Sequence, residues 1–122
     1  MSFTSMFYGD YSLESIDLSS FDTTNVVNMN YMFHSCKALN KINLSNFDTR
    51  RVTSMIGIFS ECSNLIYIDI SKFNSQSLND NNYSLFIGRN PEGTIKYNSK
   101  LFNKELIEIH FLEWNKIDLN SD

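Results

Sequence analysis

The chain has no excess of basic charge: 10 Lys and Arg stand against 14 Asp and Glu, the formal charge is −4 and the pI is near 5.0. Apart from Arg50-Arg51 the cations are scattered, so nothing is placed to neutralise a run of phosphates and nucleic acid is not an expected partner. Long apolar runs are missing too. No window approaches the roughly 20 consecutive apolar residues that cross a bilayer, and the opening "MSFTSMFYGDYS" lacks a basic start followed by an apolar stretch. Neither direct membrane insertion nor a secretion signal is read from these residues. Cysteine and histidine occur twice each, as Cys36, Cys62, His34 and His110, with no C-x-x-C spacing, so no metal site is expected. Glycine and proline are scarce, at four and one, and the G-G-x-G-x-D signature of calcium-binding coils is absent. What the chain does have is 42% hydrophobic and 14% aromatic residues over 122 positions, enough to bury the core of about one domain. Disorder is therefore not expected.

The apolar residues are periodic. "SIDLSSFDTTNVVNMNYMFHSC", from Ser15 to Cys36, is written again 26 residues later as "KINLSNFDTRRVTSMIGIFSEC", from Lys41 to Cys62. Phe7, Phe33 and Phe59 share a column, as do Leu13, Leu39 and Leu65, then Ile16, Ile42 and Ile68, then Phe21, Phe47 and Phe73. Polar columns recur as well: Asp22, Asp48 and Asn74, then Thr23, Thr49 and Ser75. A strict period between 20 and 50 residues marks a solenoid, in which each unit buries its apolar side only against its neighbours.

Two elements are expected within a unit. Leu39, Ile42 and Leu44 follow L-x-x-L-x-L, whose last two members alternate as a strand requires. Met29, Met32, Phe33 and Cys36 fall at i, i+3, i+4 and i+7, which predicts a helix of about two turns with Asn28 or Asn25 as its cap. Between them "FDT" supplies an inward Phe and an Asp whose carboxylate turns the chain by bonding nearby N–H groups. The helical spacing assigns Met29, Met32 and Met55 to the core rather than to an adaptable groove. It also makes Cys36 and Cys62 buried free thiols, because packed helices lie about 8–10 Å apart whereas a disulfide wants Cα atoms about 4.4–6.8 Å apart.

The carriers "LESIDLSSFDTTNVVNMNYMFHSC" and "LNKINLSNFDTRRVTSMIGIFSEC", with a weaker third copy "LIYIDISKFNSQSLN", resemble the leucine-rich-repeat surface proteins of the BspA-like type, whose units read approximately L-x-x-L-D-L-S-N-F-D-T-S-x-V-x-x-M-x-x-M-F-x-x-C. The resemblance covers about Met6 to Leu78 and departs at Asp10, in the Cys column, and at Asn81, in the Met column. The expected fold is α/β: a leucine-rich-repeat solenoid with short parallel strands on one face and short helices on the other, plus an α+β C-terminal cap. Residues 1–78 are read as about three repeats, the first lacking its strand, as expected of a piece of a longer array whose open N-terminal coil offers a route to self-association. Residues 79–122 are read as the cap, with "NPEG" a turn, "TIKY" and "NKIDL" strands, and helical spacing at Leu106, Ile109 and Leu112 or at Phe102, Leu106 and Ile109.

No Ser, Cys or carboxylate is placed by a recognisable motif to pair with His34 or His110, so no catalytic residue, cofactor or enzymatic activity is expected. His34, just after Phe33, is expected at the surface. The outward strand positions are the candidate ligand-binding face: Ser15, Lys41 and Tyr67 in one row, and Asp17, Asn43 and Asp69 in the next, with Tyr67 as an aromatic anchor. The alternative is that Asp, Asn and Ser merely keep a strand face soluble. The N-x-S sequons at Asn43 and Asn82 decide nothing about secretion. The resemblance implies a cell-surface or secreted protein with an adhesive role toward host or matrix proteins or glycans. A structural spacer without a ligand and an intracellular regulatory domain stand as alternatives.

Overall fold

Ile42 and Leu44 point inward while Lys41 and Asn43 are exposed, and this alternation shapes the first strand, β1 (Lys41–Asn43). β2 (Tyr67–Asp69), β3 (Thr94–Tyr97) and β4 (Asn115–Asp118) follow, with a single helix α1 (Lys104–His110) between the last two. The structure is a computed structural model that describes residues 1–79 and 92–120. Asn81 and the sequon at Asn82, like Asn90 and Pro91 of "NPEG", lie outside the described residues.

The described residues form an α/β domain with one four-stranded parallel sheet in the order β1-β2-β3-β4. Ile42 pairs with Ile68 and Ile68 with Ile95, so the sequence period becomes the strand register. "TIKY" and most of "NKIDL" are strands as expected, and β3 pairs directly with β2. Two ladders of rings fill the interior. Phe33 stacks between Phe7 and Phe59 at centroid distances of 5.4 and 5.8 Å, and Phe73 lies between Phe47 and Phe102 at 6.4 Å from each. Met29, Met32 and Met55 are fully buried in the same core.

Three expectations are corrected. First, the segment at Ser15 and Asp17 is not a strand of the sheet. Its pairing to the next unit is one long hydrogen bond, from the Asn40 N–H to the Glu14 carbonyl at 3.4 Å, in place of a ladder.

Second, the segments at Met29–Cys36 and Met55–Cys62 are turns, not helices. Tyr31 and Ser35 have φ of 57° and 61°, Gly57 and Glu61 have 64° and 62°, and Ser5 and Gly9 repeat the pair at 57° and 68°. A left-handed residue every fourth position stops a right-handed helix. The backbone N–H groups are also committed elsewhere: Met29, Tyr31, Phe33 and Ser35 donate to the carbonyls of Ser54, Ile56, Ile58 and Ser60 in the next unit at 2.8–3.0 Å. Met32, His34 and Cys36 close local turns onto residues three back. A chain of four-residue turns buries i, i+3, i+4 and i+7 as a helix does, which is why the periodicity misled. Asn28 and Asn25 cap no helix; Asn28 Oδ1 accepts from the Asn30 N–H and the Thr4 hydroxyl, and Asn25 Oδ1 from Arg51.

Third, the stripes expected for α1 hold only in part: Phe102 is buried and Leu106 packs against the core, but the helix itself buries Ile107 and His110. Ile109 and Leu112 are 64% and 68% exposed, while Ile107, His110, Phe111 and Trp114 face the core. The helix starts where Asn103 Oδ1 accepts the Glu105 N–H at 2.9 Å.

The left-handed turns yield a prediction. A Cβ at Gly57 would lie 2.6 Å from the Tyr31 ring, whereas one at Gly9 meets nothing within 4 Å. Gly9→Ala is expected to cost the left-handed penalty alone, about 1–2 kcal/mol. Gly57→Ala should cost about 1 kcal/mol more, because the Tyr31 ring must move off its site. Urea titration of the two variants measures the difference, and equal costs would show that the ring moves freely.

Candidate functional site

Parallel pairing sets Lys41, Tyr67, Thr94 and Asn115 side by side, and Asn43, Asp69, Lys96 and Ile117 in the neighbouring row. Four of the six residues expected to form the ligand-binding face, Lys41, Asn43, Tyr67 and Asp69, therefore meet on one continuous sheet surface. Ser15 and Asp17 are exposed but lie outside the sheet.

The two rows differ in how their side chains are used. Asn43 Oδ1 accepts the Ser45 N–H at 2.9 Å, and Asp69 Oδ1 accepts the Ser71 N–H at 2.9 Å. Asp17, off the sheet, repeats the bond with Ser19 and adds the Ser19 hydroxyl at 2.6 Å, which with the backbone bond holds its carboxyl below the usual carboxylate range. These residues turn the chain, and Asp69 is buried. By contrast, the side chains of Lys41, Tyr67, Thr94 and Asn115 make no hydrogen bond among the described residues. They form the part of the face left open to a ligand.

Other recurring polar residues join one unit to the next. The Thr23 hydroxyl donates to the Asp48 carbonyl at 3.2 Å and accepts the Asp48 N–H at 2.8 Å, and Thr49 does the same with Asn74 at 3.1 and 2.7 Å. Asn30 Oδ1 accepts from the Ser54 hydroxyl and the Ile56 N–H. The expected carboxylate turns are present: Asp22 accepts the Thr24 N–H, and Asp48 the Arg50 N–H, each at 3.1 Å. Hydrogen bonds from the Arg50 guanidinium, with backbone and charge contributions from the same residue, hold the Asp48 carboxyl below its ordinary value.

Cys36 and Cys62 are buried and free, and their thiols donate to the carbonyls of Phe7 and Phe33, each at 3.0 Å. This explains a cysteine column that burial alone did not. Burial pushes the thiols up from 9.0 to about 11 for Cys36 and about 12 for Cys62. Because both folded-state values exceed the unfolded one, the neutral buried thiols contribute stability that is complete below about pH 9 and lost as pH rises through about 11 to 12. Iodoacetamide at pH 8 is therefore expected to modify the native protein only as fast as it unfolds, with the rate rising steeply in urea. Mass spectrometry over time checks this, and rapid labelling without urea would contradict it.

His34 is half-buried, with its ring stacked on exposed Tyr8 at 4.8 Å and edge-on to Tyr31 at 5.6 Å. Its Nδ1 is 2.9 Å from the Ser35 hydroxyl. His110 is buried in the core. Among the described residues, no three His, Cys, Asp or Glu side chains converge on a common point. No described helix is long and apolar enough to cross a membrane.

The sequence reading also missed a second surface. Asn46, Arg50, Lys72, Asn74 and Leu101 wall a cleft of about 440 Å³ beside the turns that follow the strands. The signal was present: Lys72, Arg50 and Arg51 each replace a neutral polar residue found elsewhere in the same column.

Compared with known families, residues 1–98 match the pattern of one described as "Mycoplasma protein of unknown function, DUF285". No curated protein and no solved structure matches the chain.

Proposed function

We propose, from the premise that the chain belongs to the DUF285 family, a BspA-like repeat-associated family, that it is a non-enzymatic interaction module with the leucine-rich-repeat solenoid architecture its period implies. In this reading it belongs to a cell-surface or secreted protein and adheres through its strand face to a protein or glycan of a host or matrix. The observation that carries the proposal is the row Lys41, Tyr67, Thr94 and Asn115. It runs across four paired strands, and its side chains make no hydrogen bond among the described residues. Tyr67 is half-buried between Lys41 and Thr94 in register. An aromatic ring flanked by a cation and a hydroxyl suits an anchor residue, because it supplies contact area at little entropic cost.

The structural-spacer reading draws support from a different observation. The recurring Thr, Asn and Cys side chains bond from unit to unit, which is what an extended rod needs. The deciding experiment measures binding of the parent and of a Lys41→Ala/Tyr67→Ala variant to an array of matrix proteins and glycans. Asn43 is left intact because it closes a turn. Saturable binding lost in a variant that melts like the parent supports the adhesive face. A well-folded parent that binds nothing favours the spacer.

A further inference from the structure

Side chains that recur in every unit are those the units need in order to stack; those that break their column are not needed by every unit for that purpose. Lys72 stands where the other units have Ser20 and Asn46, Arg50 where they have Thr24 and Gln76, and Arg51 where they have Asn25 and Ser77. All three breaks introduce a positive charge into a chain whose net charge is −4, and all three fall on one edge of the molecule. Lys72 and Arg50 line the 440 Å³ cleft, and Arg51 lines a neighbouring one of about 270 Å³ that shares Asp48 and Arg50 with it.

Asp48 is the one carboxylate among the described residues that line the two clefts, and it is already neutralised. The Arg50 guanidinium grips both its oxygens, with Nη2 to Oδ2 at 2.7 Å and Nε to Oδ1 at 3.0 Å. Arg51 gives one hydrogen bond to the neutral amide of Asn25, and Lys72 makes no hydrogen bond or ion pair among the described residues. Arg51 and the nearby Asp22 also act on Asp48 through their charges, so the described lining holds three cations against one carboxylate, a surplus of two within the lining itself. The combined cleft crosses four successive units, from Thr24 through Arg50 and Gln76 to Leu101. At about 4.8 Å between paired segments it runs for about 14 Å, the length of about four extended residues.

The lining also distinguishes between anionic ligands. A pyranose ring wants an exposed aromatic face, and the one ring here, Phe47, belongs to a fully buried residue. Leu101, 36% exposed, instead offers an apolar wall for an aliphatic side chain. Asn46 Nδ2 is held by the carbonyls of Leu18 and Ser19, and its Oδ1 receives no hydrogen bond among the described residues, which leaves an acceptor for a peptide N–H.

We propose that this cleft binds a short, extended acidic peptide segment, with carboxylates on Lys72 and Arg51 and an aliphatic side chain against Leu101. This proposal rests on the reading of the chain as an interaction module and adds a second surface to the strand face. The probe is the fluorescein-labelled peptide Glu-Asp-Leu-Glu-Asp-Glu, compared by anisotropy with Gln-Asn-Leu-Gln-Asn-Gln and competed with heparin. The acidic peptide is expected to bind saturably and more weakly as salt rises, and the amide peptide to fail. Lys72→Glu should weaken binding by about tenfold or more without shifting the melting curve, Arg51→Gln, which keeps a donor for Asn25, should weaken it severalfold, and Lys41→Ala/Tyr67→Ala should leave it unchanged. Equal affinity for the amide peptide, indifference to Lys72→Glu, or binding of heparin in place of the peptide would each overturn the proposal. If the peptide fails while the matrix array still gives a hit lost in Lys41→Ala/Tyr67→Ala, only the cleft is refuted. If both assays fail, the module reading goes with it.

Discussion

Phe33→Ala is expected to destabilise the protein by about 3–5 kcal/mol, the largest loss foreseen for a single side chain here. Phe33 has no solvent exposure and is the middle ring of a three-layer stack, nearly parallel to Phe7 and Phe59 with interplanar angles of 11° and 12°. Truncation removes both ring contacts and leaves a void between units that are pinned at the same place. The Phe33 N–H donates to the Ile58 carbonyl, and the Phe33 carbonyl accepts the Cys62 thiol, so the backbone cannot easily collapse inward. Against a total domain stability of about 5–15 kcal/mol, such a loss approaches global unfolding. Phe33→Leu, which keeps most of the volume, should cost about 1.5 kcal/mol and remain measurable. Tyr8→Ala removes a ring that is 55% exposed and stacked on His34, and should cost less than about 1 kcal/mol. Urea unfolding that ranks the three as Ala at 33, Leu at 33, then Ala at 8 supports the assignment of interior and surface. A Phe33→Ala protein that unfolds with Tyr8→Ala would overturn it.

The same segment explains what the sequence could and could not disclose. The spacing of Met29, Met32, Phe33 and Cys36 predicts burial, and all four are buried. Their backbone was not identified, because burial spacing records which side chains face inward and is silent on where the N–H groups bond. A four-residue turn repeat and a 3.6-residue helix differ by a fraction of a residue over two turns. The hydrogen bonds that decide between them run to residues 25 positions away. One local clue existed: Gly57 and Gly9 sit in the two columns that carry positive φ in all three copies. Near the C-terminus the failure was one of choice. Ile107, His110, Phe111 and Trp114 have helical spacing too, but that stripe contains a histidine, so hydropathy favours the more aliphatic alternatives through Ile109. β1 to β3 are the easiest to read, since Ile42, Ile68 and Ile95 alternate with polar neighbours in sequence and pair with one another in space.

The candidate face was half legible for a related reason. Sequence columns put Asn43 and Asp69 beside Lys41 and Tyr67, but a column does not tell whether a polar side chain points to a ligand or bends back to its own backbone. Asn43 and Asp69 bend back. The Arg50, Arg51 and Lys72 edge does not show in the repeat consensus, because a consensus records what the units keep and these residues are what they change.

Thr49→Val tests the claim that recurring threonines hold the units together. Valine has nearly the shape of threonine, so the packing around this fully buried residue survives while the hydroxyl is lost. That hydroxyl both donates to the Asn74 carbonyl and accepts the Asn74 N–H, so two backbone groups lose their partner at once. Each buried polar group left without a partner costs about 1–3 kcal/mol. Because Asn74 is half-buried and water reaches part of it, the expected total is about 2–4 kcal/mol. Thr49→Ser supplies the control: it keeps the hydroxyl, sheds one methyl, and should cost about 1 kcal/mol. If hydrogen bonding is what matters, Val is worse than Ser; if packing is, the order reverses. Amide hydrogen exchange then locates the damage. The Asn74 N–H should lose protection in Thr49→Val, while the Asp48 N–H, held by Thr23 in the preceding unit, should keep its protection until the whole domain opens. Loss of protection at both sites together would mean that the units unfold as one body and that no single threonine governs its own junction.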